Sequence, residues 1–330
     1  MDSMLPAPTS QRAPNPESTA NSEEEEHDNH SYLDSDSDYL GRYLDEGFVG
    51  PIDVLSQSEA RGALRCFHSW VSSSGFPDGK VVGDARFKPH LYLPFCHDLV
   101  HHPRLVRIVQ TLLQTPNILL WSSDFNIKEP NTTSWYPPHQ DSTYAGLDPP
   151  RQVLTVWIAL SDVVSEREGC LSFWKRSHRE GQLLHSEEAT DSTNMLSRGQ
   201  RLEEVQTPYE HVTISLRGGQ ATIHNFLTVH QSGQNQSQTK PRIGLALRYM
   251  AGTVRQTGPV RESVTLVSGV PQHDGFDLEP SLPRHHHHHP TCEDIQRGKQ
   301  AHADAMQREA KNYFRTSNEK KNYDTDTDDQ

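Results

Sequence analysis

The segment Trp135-Tyr-Pro-Pro-His-Gln-Asp-Ser-Thr-Tyr144 sets an imidazole and a carboxylate two residues apart. On a strand, positions i and i+2 face the same side, so His139 and Asp141 can offer both donors to one point. Two donors are not a catalytic metal site. The 2-His-1-carboxylate face of non-haem Fe(II) takes three protein ligands and leaves positions open for cosubstrate and O2. An HxD pair by itself also arises by chance or in structural roles, so the pattern points further along the chain.

A third donor has to come from a distant strand end. Thr228-Val-His-Gln-Ser-Gly-Gln-Asn235 offers His230, after an apolar strand and before a Gly/Asn turn. Twelve residues later Arg242 opens the run Arg242-Ile-Gly-Leu-Ala-Leu-Arg-Tyr249. A guanidinium fork suits a carboxylate held by two parallel hydrogen bonds. The combination of a histidine, a small hydroxyl residue (Ser232) and an arginine opening the next strand suggests a chelating 2-oxo acid whose far carboxylate ends on Arg242.

The elements that must position these groups follow from periodicity. Asp38 to Gly47 reads as a short amphipathic helix closed by glycine, and Phe48 to Val54 as extended chain. Ser56 or Ser58 can cap a second helix with Ala60, Leu64, Phe67 and Val71 on one stripe. His97 to Leu113 fits a helical pair broken at Pro103. Beyond Asn117 the period shortens to that of strands: Ile118–Trp121, Phe125–Ile127, Val153–Leu160, Gly169–Trp174, His211–Leu216, Gln220–His224 and Ile243–Tyr249, separated by Pro, Gly and Asn. The profile predicts a mainly β protein with flanking helices, an antiparallel barrel or jelly roll. Residues 39–114 form its helical part, 115–255 the jelly-roll core and 256–315 a C-terminal loop and helix. Residues 1–38 and 316–330 read as acidic, disordered tails.

In order along the chain, His-Gln-Asp (139–141), Val-Trp-Ile-Ala-Leu-Ser-Asp (156–162), Glu-Gly-Cys-Leu (168–171), Ser-His (177–178), His-x-Ser-Gly-x-Asn (230–235) and Arg242 resemble the phytanoyl-CoA dioxygenase family of Fe(II)/2-oxoglutarate enzymes. The resemblance spans roughly residues 39–315. It implies a double-stranded β-helix (jelly-roll, cupin-like) core, with Fe(II), 2-oxoglutarate and O2 as cofactors. By the same resemblance His139, Asp141 and His230 are the iron ligands, Trp157, Ser232 and Arg242 line the 2-oxoglutarate site, and Lys88 stands where a further cosubstrate lysine can lie. The family often has Pro-Gly before Ser-His; here Lys175-Arg176 stand there, which leaves that loop's conformation open. Halogenating relatives replace the carboxylate ligand with a small residue, so Asp141 argues against halogenation. The implied reaction is hydroxylation or desaturation of an unactivated C–H of a small molecule, with succinate and CO2 released. The rival readings are a catalytically silent jelly-roll binding protein and a cupin-type metal enzyme that does not use 2-oxoglutarate.

Around the metal, Trp121, Phe125, Trp135 and Tyr144 are either pocket walls or core aromatics. Arg248, an even six residues past Arg242, points the same way and needs either a structural acid or an anionic substrate group as partner. Arg255 and Gln256 are candidates for the mouth. His224 is in register with His230 but reads as a core histidine bonded to backbone, and Lys128 reads as a rim or salt-bridge residue, with a role toward the cosubstrate as its alternative. The tract His285 to His289 has no fixed ligand geometry and reads as a solvated loop.

Composition narrows the classes. Of the net charge of −13, residues 1–38 carry −9, from ten acids and Arg12. The remainder is near neutral, so no basic groove supports nucleic-acid binding. No window approaches a membrane span, and the N-terminus lacks the basic-then-apolar pattern of a secretion signal. Cys66, Cys96, Cys170 and Cys292 are widely spaced with no CxxC pair, as expected of free thiols in a reducing, cytoplasmic setting.

Overall fold

The computed structural model describes residues 29–308 except 144, 188–190, 197–198, 203–204, 206–209, 259, 283–290 and 292; for 29–37 and 187 it describes the backbone alone. Tyr144, the His285 to His289 tract, Cys292, the first 28 residues and the expected tail over 316–330 lie outside the described residues.

The stretch ending at Gly47 is a helix, α1 (Asn29–Glu46). Gly47 closes it at φ +88°, where a Cβ would sit 2.4 Å from His178 Nδ1, so conformation and space both require glycine. The helix starts at Asn29, inside the segment expected to be unstructured. Tyr43 buries its ring in the core, and once that end is fixed, adding turns costs little.

Strand β1 (Phe48–Asp53) follows, then α2 (Gln57–Ser73). Ser56 opens α2 with a capping box: its hydroxyl accepts from the Glu59 amide, and the Glu59 carboxylate accepts from the Ser56 amide at 2.8 Å. Pro94 and Pro103 start α3 (Pro94–Val100) and α4 (Pro103–Leu113), where a missing N–H is harmless.

The strands after Asn117 are β2 (Ile118–Lys128), β3 (Tyr136–His139), β4 (Leu147–Asp148), β5 (Val153–Ala159), β6 (Leu171–Trp174), β7 (Ser186–Glu187), β8 (Gln200–Arg201), β9 (His211–Ile214), β10 (Gln220–Asn225), β11 (His230–Ser232), β12 (Arg242–Ala251), β13 (Arg255–Gln256), β14 (Ser263–Ser268) and β15 (Asp277–Leu278). A helix over 293–308 ends the described chain. The two runs read as separate strands at 118–121 and 125–127 are one strand. Ser122, Ser123 and Asp124 continue the ladder against β12, and a register shift at Arg248/Tyr249 accommodates them.

One sheet has the order β1-β10-β5-β12-β2-β14-β15 and the other β3-β11-β6-β9, forming the expected jelly roll. The central strands of the large sheet have two chemically distinct faces. Phe125, Leu154, Val156, Ile158, Ile243, Leu245, Leu247 and Tyr249 belong to one apolar core with the helices. Their alternating neighbours, Asp124 and Asn126 on β2, Thr155 and Trp157 on β5, and Arg242, Ala246 and Arg248 on β12, line a cavity on the other face. This alternation aims the polar groups inward. No helix among the described residues is long and apolar enough to cross a membrane.

Candidate metal centre and cosubstrate pocket

His139 ends β3 and His230 opens β11, and the two are direct antiparallel partners with ring centroids 4.2 Å apart. Each imidazole donates its Nδ1 proton to a carbonyl two residues back, His139 to Pro137 at 2.8 Å and His230 to Thr228 at 3.0 Å. That tautomer leaves both Nε2 lone pairs free. Asp141, in the turn after β3, sets Oδ1 3.7 Å from His139 Nε2 and 3.9 Å from His230 Nε2. Both separations are below twice a metal–ligand bond of ~2.0–2.2 Å, so one ion can touch all three donors.

The surroundings hold these groups in the ligating protonation state. Burial pushes the Asp141 carboxyl up, but the Arg248 charge and the contact with His224 outweigh it, leaving it well below the usual carboxylate range. Burial first, then the neighbouring His139 and His224, hold His230 well below the ordinary histidine value, so its ring is neutral. Thr155 Oγ1 donates to Asp141 Oδ2 at 2.6 Å. His224 is not the backbone-bonded core histidine expected: its Nε2 lies 3.4 Å from Asp141 Oδ2, and its buried Nδ1 has no partner. β10 pairs with β5 so that His224 stands opposite Thr155, which brings both to the same oxygen.

At the other end of the cavity, Arg242 is 1% exposed. Its Nη1 donates to Gly169 O at 2.7 Å and Ser232 Oγ at 2.9 Å, its guanidinium carbon lies 4.8 Å from the Trp157 ring centroid, and its Nε is buried without a partner. Lys128 is also 1% exposed, and its Nζ donates to Ser232 O and Oγ at 2.9 and 2.6 Å. Lys128 is therefore neither rim nor salt bridge. Burial, then the Arg242 charge, pulls Lys128 well below its ordinary value; burial lowers Arg242 to about 10, still charged at neutral pH. Two buried cations meet here with no carboxylate partner among the described residues, and desolvated positive charge of this kind calls for an anion. A dicarboxylate reaching from the metal to Arg242 fits that demand. Trp157 is fixed by Nε1 donating to Asn126 Oδ1 at 3.0 Å and lies flat over Gly244, where a Cβ would be 2.0 Å from the indole.

The remaining expected site residues divide. Lys88 takes φ 42° and turns away from the cavity; its Nζ meets Glu279 Oε1 at 2.5 Å and Ser263 O at 2.7 Å, so it serves a buried ion pair and not the cosubstrate. Phe125 touches the cavity edge, but its ring stacks on Trp70 and meets Phe67 edge-to-face in the helical core. Trp121 lines the cavity with its Nε1 donated to Glu262. Arg248 finds a structural acid: it pairs with Asp124 and lies 3.7 Å from Asp141 Oδ1. Arg255 and Gln256 sit on β13, paired with β4, and are not among the residues lining the cavity. In the Lys175-Arg176 loop, Arg176 adopts φ 65°, and its guanidinium and that of Arg179 bind Asp45 at 2.9 and 2.6 Å. Side-chain pairing thus supports a left-handed turn without glycine.

Residues 43–244 match the family model described as phytanoyl-CoA dioxygenase (PhyH). The chain belongs to the phytanoyl-CoA dioxygenase family. Among its relatives, "Phytanoyl-CoA dioxygenase domain-containing protein 1" of Mus musculus is 29% identical over 185 residues, 55% of this chain and 62% of the relative. The protein of the same name from Danio rerio is 28% identical, over 47% of this chain and 52% of the relative. The chain thus spans little more than half the length of these two family members. A structure titled "non-heme monooxygenase; ThoJ apo" superposes with a TM-score of 0.69 at 27% identity, covering 85% of this chain and 99% of that one. The epimerase SnoN, in complex with Fe3+, alpha ketoglutarate and nogalamycin RO, has the same fold at 21% identity, with a TM-score of 0.55 over 74% of this chain and 96% of its own.

Proposed function

We propose that this chain is an Fe(II)- and 2-oxoglutarate-dependent dioxygenase that hydroxylates, or desaturates, an unactivated C–H of a small molecule in the cytoplasm. The observation that carries this reading is the pairing of a three-donor metal face with two buried cations, Arg242 and Lys128, that have no carboxylate of their own among the described residues. A ferrous ion bound there supplies O2-dependent oxidation of the substrate, coupled to decarboxylation of 2-oxoglutarate to succinate and CO2.

The protein's part is positional. His139, His230 and Asp141 present three donors from one side, and Thr155 and His224 occupy the outer oxygen of the carboxylate. Arg242, with Ser232 and Lys128 behind it, holds the far carboxylate of the cosubstrate, and Trp157 forms a flat wall along its chain. Asp141 keeps a carboxylate at the position that halogenating relatives leave vacant, so the reading favours oxygen insertion or hydrogen removal over halide transfer. The two uncompensated cations speak against a cupin-type enzyme that needs no oxo acid, and against a silent binding protein.

The test is anaerobic reconstitution with Fe(II) and 2-oxoglutarate, followed by exposure to O2 and a screen of small metabolites that reads succinate. Metabolite-stimulated succinate release that disappears in His139→Ala and Asp141→Ala is expected. Equal release by the wild type and both variants contradicts the assignment.

A further inference from the structure

The cavity is walled by more positive charge than the metal and cosubstrate account for. Arg86, Arg242 and Arg248 face it, against the acids Asp124 and Asp141. Arg248 is matched by Asp124. A divalent ion, the Asp141 carboxylate and a dianionic cosubstrate together leave one negative charge, which the buried Arg242 and Lys128 already more than offset. Arg86 is left over.

Its placement is specific. Arg86 ends the short turn Gly83–Arg86, directly before Phe87, whose backbone bridges to Asp124 on the cavity strand β2. The guanidinium lies over the Phe87 ring, 5.3 Å from its centroid, and is half-buried. Among the described residues it has no ion pair and no hydrogen bond. Asp84, in the same turn, is exposed, and Asp124 is already held by Arg248. Arg86, Arg242 and Arg248 all bear electrostatically on the part-buried Tyr136 phenol, which lines the same cavity. The same cavity also has aromatic and apolar lining in Phe87, which Arg86 touches, and in Trp121, Met195 and Leu196.

We propose that the primary substrate is a small organic carboxylate with a flat apolar body, its anionic group received by Arg86 and its body held against Phe87 and Trp121. This deepens the oxygenase reading and rests on it. A guanidinium binds a carboxylate through paired, charge-assisted hydrogen bonds, and a part-desolvated site strengthens them. Aromatic walls select the rest of the molecule by area and ring contact. A neutral isostere of the same shape keeps the ring contacts and loses the ion pair.

The experiment compares 3-phenylpropionate with 3-phenylpropionamide, binding to the full chain loaded with Co(II) and saturating 2-oxoglutarate. Co(II) does not turn over, and its paramagnetic broadening of the ring protons reports their approach to the metal. Wild-type protein is expected to bind the carboxylate at least tenfold more tightly than the amide. In Arg86→Gln that preference is expected to vanish, with 2-oxoglutarate affinity and thermal midpoint unchanged; Arg86→Lys is expected to restore part of it. Equal affinity for acid and amide in the wild type, a preference that survives Arg86→Gln, or no binding of the acid by protein that retains 2-oxoglutarate overturns the substrate assignment alone. Failure of the wild type to take up 2-oxoglutarate overturns the oxygenase reading and this inference with it.

Discussion

Thr155 Oγ1 donates a 2.6 Å hydrogen bond to Oδ2 of Asp141, which leaves Oδ1 as the oxygen facing the Nε2 atoms of both His139 and His230. The hydroxyl thereby selects which lone pairs are offered to a metal. Partners of this kind typically contribute 10- to 100-fold to metal affinity. Thr155→Val keeps the side chain's shape and removes the donor. It is expected to weaken Co(II) binding by roughly that factor in isothermal titration, with far-ultraviolet circular dichroism unchanged. Wild-type affinity in the variant would show that His224 alone suffices to orient the carboxylate.

The buried cation pair makes a second prediction. Arg242→Ala removes a desolvated partner of the cosubstrate carboxylate, a loss of roughly 2–5 kcal/mol in comparable buried charge pairs. The dissociation constant for 2-oxoglutarate should rise about 30-fold or more. Lys128→Met should also weaken binding, because Lys128 holds Ser232 in place for Arg242 as well as adding charge. Unchanged affinity in both variants, measured by calorimetry on metal-loaded protein, would place the cosubstrate anchor elsewhere.

Gly244 permits the flat seat of Trp157, since a Cβ there would fall 2.0 Å from the indole. Gly244→Ala must displace the ring or the strand, and overpacking of this kind costs about 1–3 kcal/mol. The expected result is a lowered thermal midpoint together with weaker 2-oxoglutarate binding, since the indole lies under the Arg242 guanidinium. A variant as stable and as tight-binding as the wild type would mean that Trp157 is free to move.

Acid stability should depend on Glu279, which is not among the residues lining the cavity. Its carboxylate accepts from Lys88 at 2.5 Å, from Thr265 at 2.6 Å and from Ser263 at 2.8 Å. Burial pushes this carboxyl up, but the Lys88 charge and the His90 hydrogen bond prevail, holding it far below the ordinary carboxylate range. A carboxyl depressed in the folded state contributes stability above its unfolded value of ~4.3, and that contribution is lost as pH falls below it. Glu279→Gln leaves Lys88 buried without a counter-charge, a cost of about 3–5 kcal/mol near neutral pH. The stability gap between wild type and Glu279→Gln, read by denaturant unfolding, should be full above about pH 5 and narrow as pH drops. A gap independent of pH would mean that the carboxylate is not ionised in the folded protein.

Much of the cavity wall was legible in the sequence because strands have a period of two, although Asp141 itself lies in the turn after β3 and not on the strand with His139. The HxD spacing pointed to two donors and the start of a strand at Arg242 to the cation, while His230, read as following a strand, instead opens β11. The same alternation applied to Val153-Leu-Thr-Val-Trp would have singled out Thr155 beside Trp157, and to β2 would have separated inward Asp124 and Lys128 from outward Phe125. Lys128 was misread because a lysine before Glu-Pro resembles a surface position; only the pairing of β2 with β12, which puts Lys128 opposite Arg242, shows that it is interior. The role of His224 depends on the register between β10 and β5, and that of Lys88 on a left-handed turn and a partner 191 residues away. Neither relationship leaves a local trace in the chain.

The central claim is that His139, Asp141 and His230 bind one ferrous ion that in turn receives 2-oxoglutarate. Anaerobic calorimetry of 2-oxoglutarate with the full chain tests it most directly, with and without Fe(II), in wild type and Asp141→Ala. Binding with one-to-one stoichiometry that requires Fe(II) in the wild type and is lost in the variant is predicted. Binding of equal strength with and without Fe(II), or unchanged by Asp141→Ala, would contradict the account.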